Sequence, residues 1–228
     1  MICLVFLPSD LKNIIEVYNL TNNRKGGGKN VPGAGNVCAL DWVDFSKAMQ
    51  PGEKLYLLVH GDPMYVSTGA QFYTARKLAK KLIAAKLRPD VGSIKVVACN
   101  TGTHPADGSD PFCSVLSREI YGLSNGTINV RVTGVVGDEV VGKDGKIRGI
   151  VVATPEYDAL VDDANWKSKV AAWENEVKQM KLATPQDIVD AAEEMMLKTQ
   201  AFFEELYKAN AKYIQDKNNS RFHSPANQ

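Results

Sequence analysis

Apolar residues fall into short unbroken runs separated by stretches of helical periodicity, the alternation expected of an α/β domain. Residues 2–7 and 55–59 are apolar on both faces, as a buried parallel strand requires. The run 94–98, broken only by Lys95, reads the same way. Residues 130–136 supply a fourth strand. Residues 140–152 read as a hairpin around Lys143-Asp144-Gly145-Lys146, since Asp-Gly favours a two-residue turn.

Between the second and third strands, Phe72, Ala75, Leu78, Ala79, Leu82 and Ile83 recur at helical spacing and predict a helix over 69–87. Thr68 and Gln71 have the spacing of a capping box at its start. Further helices are expected over 44–49, closed by Pro51-Gly52, and over 112–121, after a polar loop at 103–111. Residues 22–36 are polar and glycine-rich, with no periodicity, and read as a loop. Together these elements predict a mostly parallel sheet flanked by helices.

The pattern changes after Pro155. Residues 159–181 and 184–217 read as two long amphipathic helices, the second with Thr184 as N-cap and Pro185 at its first position. Met195, Met196, Phe202, Phe203, Leu206 and Tyr213 supply its apolar stripe, open to a helix-mediated partner or a dimer. The expected division is an α/β domain over 1–154 and a two-helix extension over 155–228, with a polar tail after Asn218 that contains His223.

Composition narrows the function classes. The 228 residues carry 27 basic and 26 acidic side chains, so no charge excess attracts nucleic acid or an anionic membrane. The four cysteines form no Cys-x-x-Cys pair, which speaks for reduced thiols and against a zinc site. The N-terminus lacks the basic flank of a signal peptide, and no run reaches membrane length. A cytoplasmic protein is expected, and an effector exported without a cleavable signal would read alike.

Two consecutive core strands each end in a reactive residue, one in His60-Gly61 and the other in Ala98-Cys99. Ligands of open α/β sheets bind beyond the carboxyl ends of the strands, and neighbouring strands lie about 5 Å apart. An imidazole beside a cysteine can activate the sulfur or protonate a leaving amine. The amides of Gly61 and Cys99 are the natural donors to an oxyanion. Asp62, Asp107, Asp110 and Asp138 fall on loops near the same rim and are candidates for a substrate pocket. His104, five residues after Cys99, is a rival base. Cys113 reads as packing.

An apolar block ending in His-Gly, then about 40 residues, then a block ending in Ala-Cys, resembles the caspase–clostripain–gingipain class of cysteine peptidases. Within it, residues 54–150 are most similar to the self-cleaving protease domains of large bacterial toxins. Leu78-Ala79, Asp110-Pro111-Phe112 and Val132-Thr133-Gly134 share in the likeness. The resemblance implies a caspase-hemoglobinase-like fold and a cysteine endopeptidase acting on a protein substrate or on itself, with His60 as acid/base, Cys99 as nucleophile and the Gly61 and Cys99 amides as oxyanion hole. It also implies an inositol-phosphate activator, for which Arg76, Lys77, Lys80, Lys81 and Lys95 are the basic residues at hand. Val97 before Ala98 departs from the caspase pattern, so specificity for Asp is not implied.

Three alternatives compete. A cysteine α/β-hydrolase would need small residues where Val97 and Thr101 stand. A phosphate loop over 24–29 lacks the Gly-Lys-Ser/Thr ending, so a linker or self-cleavage site fits better. A non-catalytic scaffold would work through its C-terminal helices.

Overall fold

A computed structural model describes residues 2–6, 11–22, 37–68, 71–141, 147–150, 155–209 and 213–215. The glycine-rich stretch, the turn at 143–146 and the tail with His223 lie outside the described residues.

Five strands form one parallel sheet: β1 (Ile2–Phe6), β2 (Val37–Ala39), β3 (Lys54–Leu58), β7 (Ser93–Val97) and β8 (Val132–Thr133). Their spatial order is β2-β1-β3-β7-β8, and every pairing is parallel. Strands β3 and β7 sit centrally, and their two-sided apolarity is spent on two separate cores. Leu55, Leu57, Val59, Ile94, Val96 and Ala98 face one side, with helices α3 (Ala75–Ala84) and α4 (Phe112–Leu123). Tyr56, Leu58 and Val97 face the other, with α1 (Leu11–Asn22) and α7 (Pro185–Ala209). Burying a Leu or Val side chain stabilises by about 1.5–3 kcal/mol, so both layers contribute strongly.

Helix α1 buries Leu11, Ile14, Ile15, Val17 and Leu20, together with Asn13 and Glu16, so most of its circumference is covered. Ile188, Ala191, Ala192, Met195 and Met196 of α7 complete that core, together with Val177 of α6 (Ala164–Gln179). The expected short helix is α2 (Phe45–Ala48), where Asp44 Oδ1 caps the start by accepting from the Ser46 amide at 3.1 Å.

Several expectations are corrected. The helix predicted over 69–87 begins only at Ala75, with Thr74 as its N-cap. Thr68 and Gln71 do bond each other, but in a strand turn: the Gln71 amide donates to Thr68 Oγ1 at 3.2 Å, and the Thr68 amide donates to the Gln71 carbonyl at 3.0 Å. The chain around it forms a three-stranded antiparallel meander of β4 (His60–Gly61), β5 (Tyr65–Ser67) and β6 (Phe72–Thr74). One Thr-x-x-Gln spacing serves either structure, and burial of Val66 and Tyr73 selects the meander.

The helix predicted over 159–181 is two, α5 (Pro155–Asp162) and α6, because Asp163 breaks the run and caps α6 by accepting from the Trp166 amide at 2.8 Å. The helix predicted to 217 stops at Ala209, and β11 (Tyr213–Gln215) pairs antiparallel with β10 (Ile147–Ile150). Strand β9 (Asp138–Val141) pairs with the opposite edge of β10, forming the expected hairpin. An open strand edge offers backbone donors and acceptors that override weak helix propensity. No helix among the described residues is long and apolar enough to cross a membrane.

Candidate functional site

The ladder between β3 and β7 fixes where the two reactive residues emerge. Leu57 pairs with Val96 and Leu58 with Val97, and the Val59 amide donates to the Val97 carbonyl at 3.2 Å. That bond carries the parallel register one step further, setting Val59 level with Ala98, with His60 and Cys99 the next residue of each chain. Side chains alternate along a strand. Val59 and Ala98 face α3 and α4, while the Cys99 sulfur meets Lys12 of α1 on the other side. Both residues are half-buried.

The turn bearing Cys99 is held rigidly. Thr101, fully buried, donates its hydroxyl to the Ala98 carbonyl at 3.1 Å. The Asn100 amide donates to the Gly137 carbonyl and the Gly102 amide to the Val135 carbonyl, each at 2.8 Å. The Cys113 amide reaches back to the Thr101 carbonyl at 3.1 Å. Asn100 adopts a left-handed conformation at φ 56°, which Asn tolerates better than most residues and which turns the chain sharply after the cysteine.

His60 starts a hairpin rather than a loop. The Asp62 amide donates to the Tyr65 carbonyl at 3.0 Å, so Asp62 and Tyr65 form a hydrogen-bonded pair. The next pair, Gly61 with Val66, is therefore of the non-hydrogen-bonded kind, and the Gly61 amide points away from β5. On that outer side lies the cysteine turn. A Cβ on Gly61 would stand 2.8 Å from Thr101 Cγ2, 2.9 Å from Ala98 Cβ and 3.0 Å from the Cys99 carbonyl oxygen. Only glycine allows this approach.

Two residues absent from the sequence reading join the site. Lys12, in the first turn of α1, points its Nζ at Cys99 Sγ from 3.9 Å and at Glu16 Oε1 from 3.4 Å. Tyr157 of α5 is half-buried. Its hydroxyl is raised above the usual tyrosine range by burial first, then by the negative charge of Asp138, Cys99 and Asp158. The signal for Lys12 was present in the Leu11, Ile14, Ile15 periodicity that makes α1 a helix. Nothing in the sequence around Tyr157 marks it.

The aspartates predicted for a pocket separate. Asp138 lies beside the cysteine turn, accepting from Asn100 Nδ2 at 3.4 Å. Asp62 closes its own turn, with Oδ1 accepting from the Met64 amide at 2.6 Å and the Tyr65 amide at 2.9 Å. Asp107 accepts from the Ser109 amide at 2.9 Å, a bond that lowers its carboxyl below the usual range, and Asp110 pairs with Arg118 at 2.5 Å. His104 Nδ1 meets the Ser109 carbonyl at 3.0 Å within an exposed loop. A cavity of about 300 Å³ opens between the Pro63-Met64 turn, the start of α3 at Thr74, Ala75 and Arg76, and Phe112 and Val115 of α4, on the α3/α4 side of the sheet; neither His60 nor Cys99 lines it.

Four of the five basic residues considered for an inositol phosphate lie together on α3, and the fifth is apart from them. Lys95 is buried on β7. Arg76, Lys77, Lys80 and Lys81 lie on α3, where Arg76 pairs with Glu119, Lys77 donates to the Phe72 carbonyl and Lys81 pairs with Asp41. Among the described residues, no group of three or more His, Cys, Asp or Glu could hold a metal ion.

Two other cysteines differ from Cys99: Cys38 and Cys113 are buried and not joined in a disulfide. Burial pushes the Cys113 thiol up to about 12, against weaker lowering by Thr101 and Lys95. Such a sulfur is inert at neutral pH. No protein-family model matches the chain, and no curated protein matches it either.

Proposed function

We propose that the chain is a cysteine endopeptidase with a caspase-hemoglobinase-like fold, in which Cys99 is the nucleophile and His60 the general acid. The observation that supports this reading is the register of β3 against β7, which pairs Leu58 with Val97, two positions before His60 and Cys99 at the carboxyl ends of neighbouring strands. In the reaction the Cys99 thiolate attacks the peptide carbonyl carbon, and the C–N bond breaks as His60 protonates the departing amine. Water then hydrolyses the thioester, releasing the acid and restoring the thiol.

The outward-facing amide of Gly61, with that of Cys99, would receive the charge that develops on the carbonyl oxygen, a contribution of about 3–4 kcal/mol per donor in acyl transfer. The substrate is another protein or the chain itself, in the manner of an effector or toxin-like protease. Peptide-library cleavage tests this reading. The wild-type protein should cut, and Cys99→Ala, folded normally, should not; full activity in that variant would overturn it.

A further inference from the structure

Cys99 is in contact with a lysine that lies far away in the sequence. Lys12 Nζ stands 3.9 Å from Cys99 Sγ, within reach of a charge-assisted contact to sulfur. Its origin is topological. Helix α1 starts just after β1, whose carboxyl end lies beside that of β3, so the first turn of α1 opens onto the same rim as the dyad. The positive end of that helix adds its partial charge in the same direction.

We propose that Lys12 is a positioning residue that holds Cys99 as a thiolate in the resting protein, leaving His60 to serve as the proton donor. Glu16, only 5% exposed, binds the same ammonium and fixes its position one helical turn away. The charged and titratable groups on the elements around the sulfur are Lys12 and Glu16 of α1, His60 of β4, Asp138 of β9, and Tyr157 and Asp158 of α5. Lys12 is the cation in contact, and its partner carboxylate moderates its charge without displacing it. On ionisation the thiol proton passes to water, and the sulfur then needs no base for its first attack. This assignment deepens the peptidase reading, but the ion pair itself is measurable without substrate.

The test is the pH dependence of iodoacetamide alkylation, read by peptide mapping at Cys99, where the sulfur displaces iodide. An ordinary thiol has its midpoint near 8.5. The wild-type midpoint should fall clearly below that value. Lys12→Met should raise it by about one unit and slow alkylation at pH 7 about threefold, since the more basic thiolate is also the better nucleophile. Lys12→Arg should restore both. A wild-type midpoint at or above ~8.5 overturns the assignment whatever the variants do. So does a larger shift in His60→Ala than in Lys12→Met. Cleavage assayed on the same proteins separates the two readings. An inactive wild type that shows the Lys12 shift sinks the peptidase and keeps the ion pair; an active one without the shift sinks the ion pair alone.

Discussion

Gly61 lies against Thr101 so tightly that a Cβ on the glycine would come within 2.8 Å of Thr101 Cγ2. Thr101 cannot retreat, because its hydroxyl is bonded to the Ala98 carbonyl and its carbonyl to the Cys113 amide. The hairpin that carries His60 and the turn that carries Cys99 are thereby locked together through one backbone contact.

Gly61→Ala should therefore push the hairpin from the turn, costing about 1–3 kcal/mol of stability by overpacking. Cleavage should fall far more than stability, because small misplacements of reacting groups cost on the order of 100-fold. Denaturant melts and cleavage rates on one preparation check both parts.

Cys113 gives a pH signature of the core. Its folded-state value of about 12 lies above the ordinary value of 9.0, so its contribution to stability is complete below pH 9. It is lost as pH rises from 9 to 12, because the unfolded thiol ionises while the buried one does not. In Cys113→Ala, stability should fall less steeply over that interval. Melts of both proteins at several alkaline pH values measure the difference.

A further site tests the extension. Phe202 of α7 stacks on Trp166 of α6 at 3.5 Å between ring centroids and meets Trp173 edge-on at 4.9 Å. Phe202→Ala should destabilise by about 2–4 kcal/mol through lost packing and change tryptophan emission. Alkylation of Cys99 should change less than in Lys12→Met, since no ring of that cluster touches the sulfur among the described contacts.

The strands were the most legible part of the chain, because 55–59 and 94–98 are short, rich in Leu, Val and Ile with Lys95 the one polar interruption, and followed by turn residues, which favours a buried strand over a helix. Their endings were legible too, and with them His60, Gly61 and Cys99. The meander was not. Phe72 counted as an inward helical residue, yet it is 60% exposed on β6 while Tyr73 beside it is buried. A period of two over three residues carries too little information to compete with a longer helical pattern. Helix α1 was hidden for another reason: its twelve residues lie between Pro8 and a glycine-rich stretch, and both neighbours suggest irregular chain. With it went Lys12, whose relation to Cys99 spans 87 positions and exists only through the sheet.

The most direct test of the account is covalent labelling by a peptide acyloxymethyl ketone, a reagent that needs both an ionised cysteine and a substrate-shaped site. Intact-mass and peptide-mapping analysis should find one adduct, on Cys99, formed quickly near neutral pH and lost in Cys99→Ala. Buried Cys38 and Cys113 should stay unmodified in the folded protein. Slow labelling spread evenly over the thiols, or none at Cys99, would contradict the assignment of Cys99 as the nucleophile.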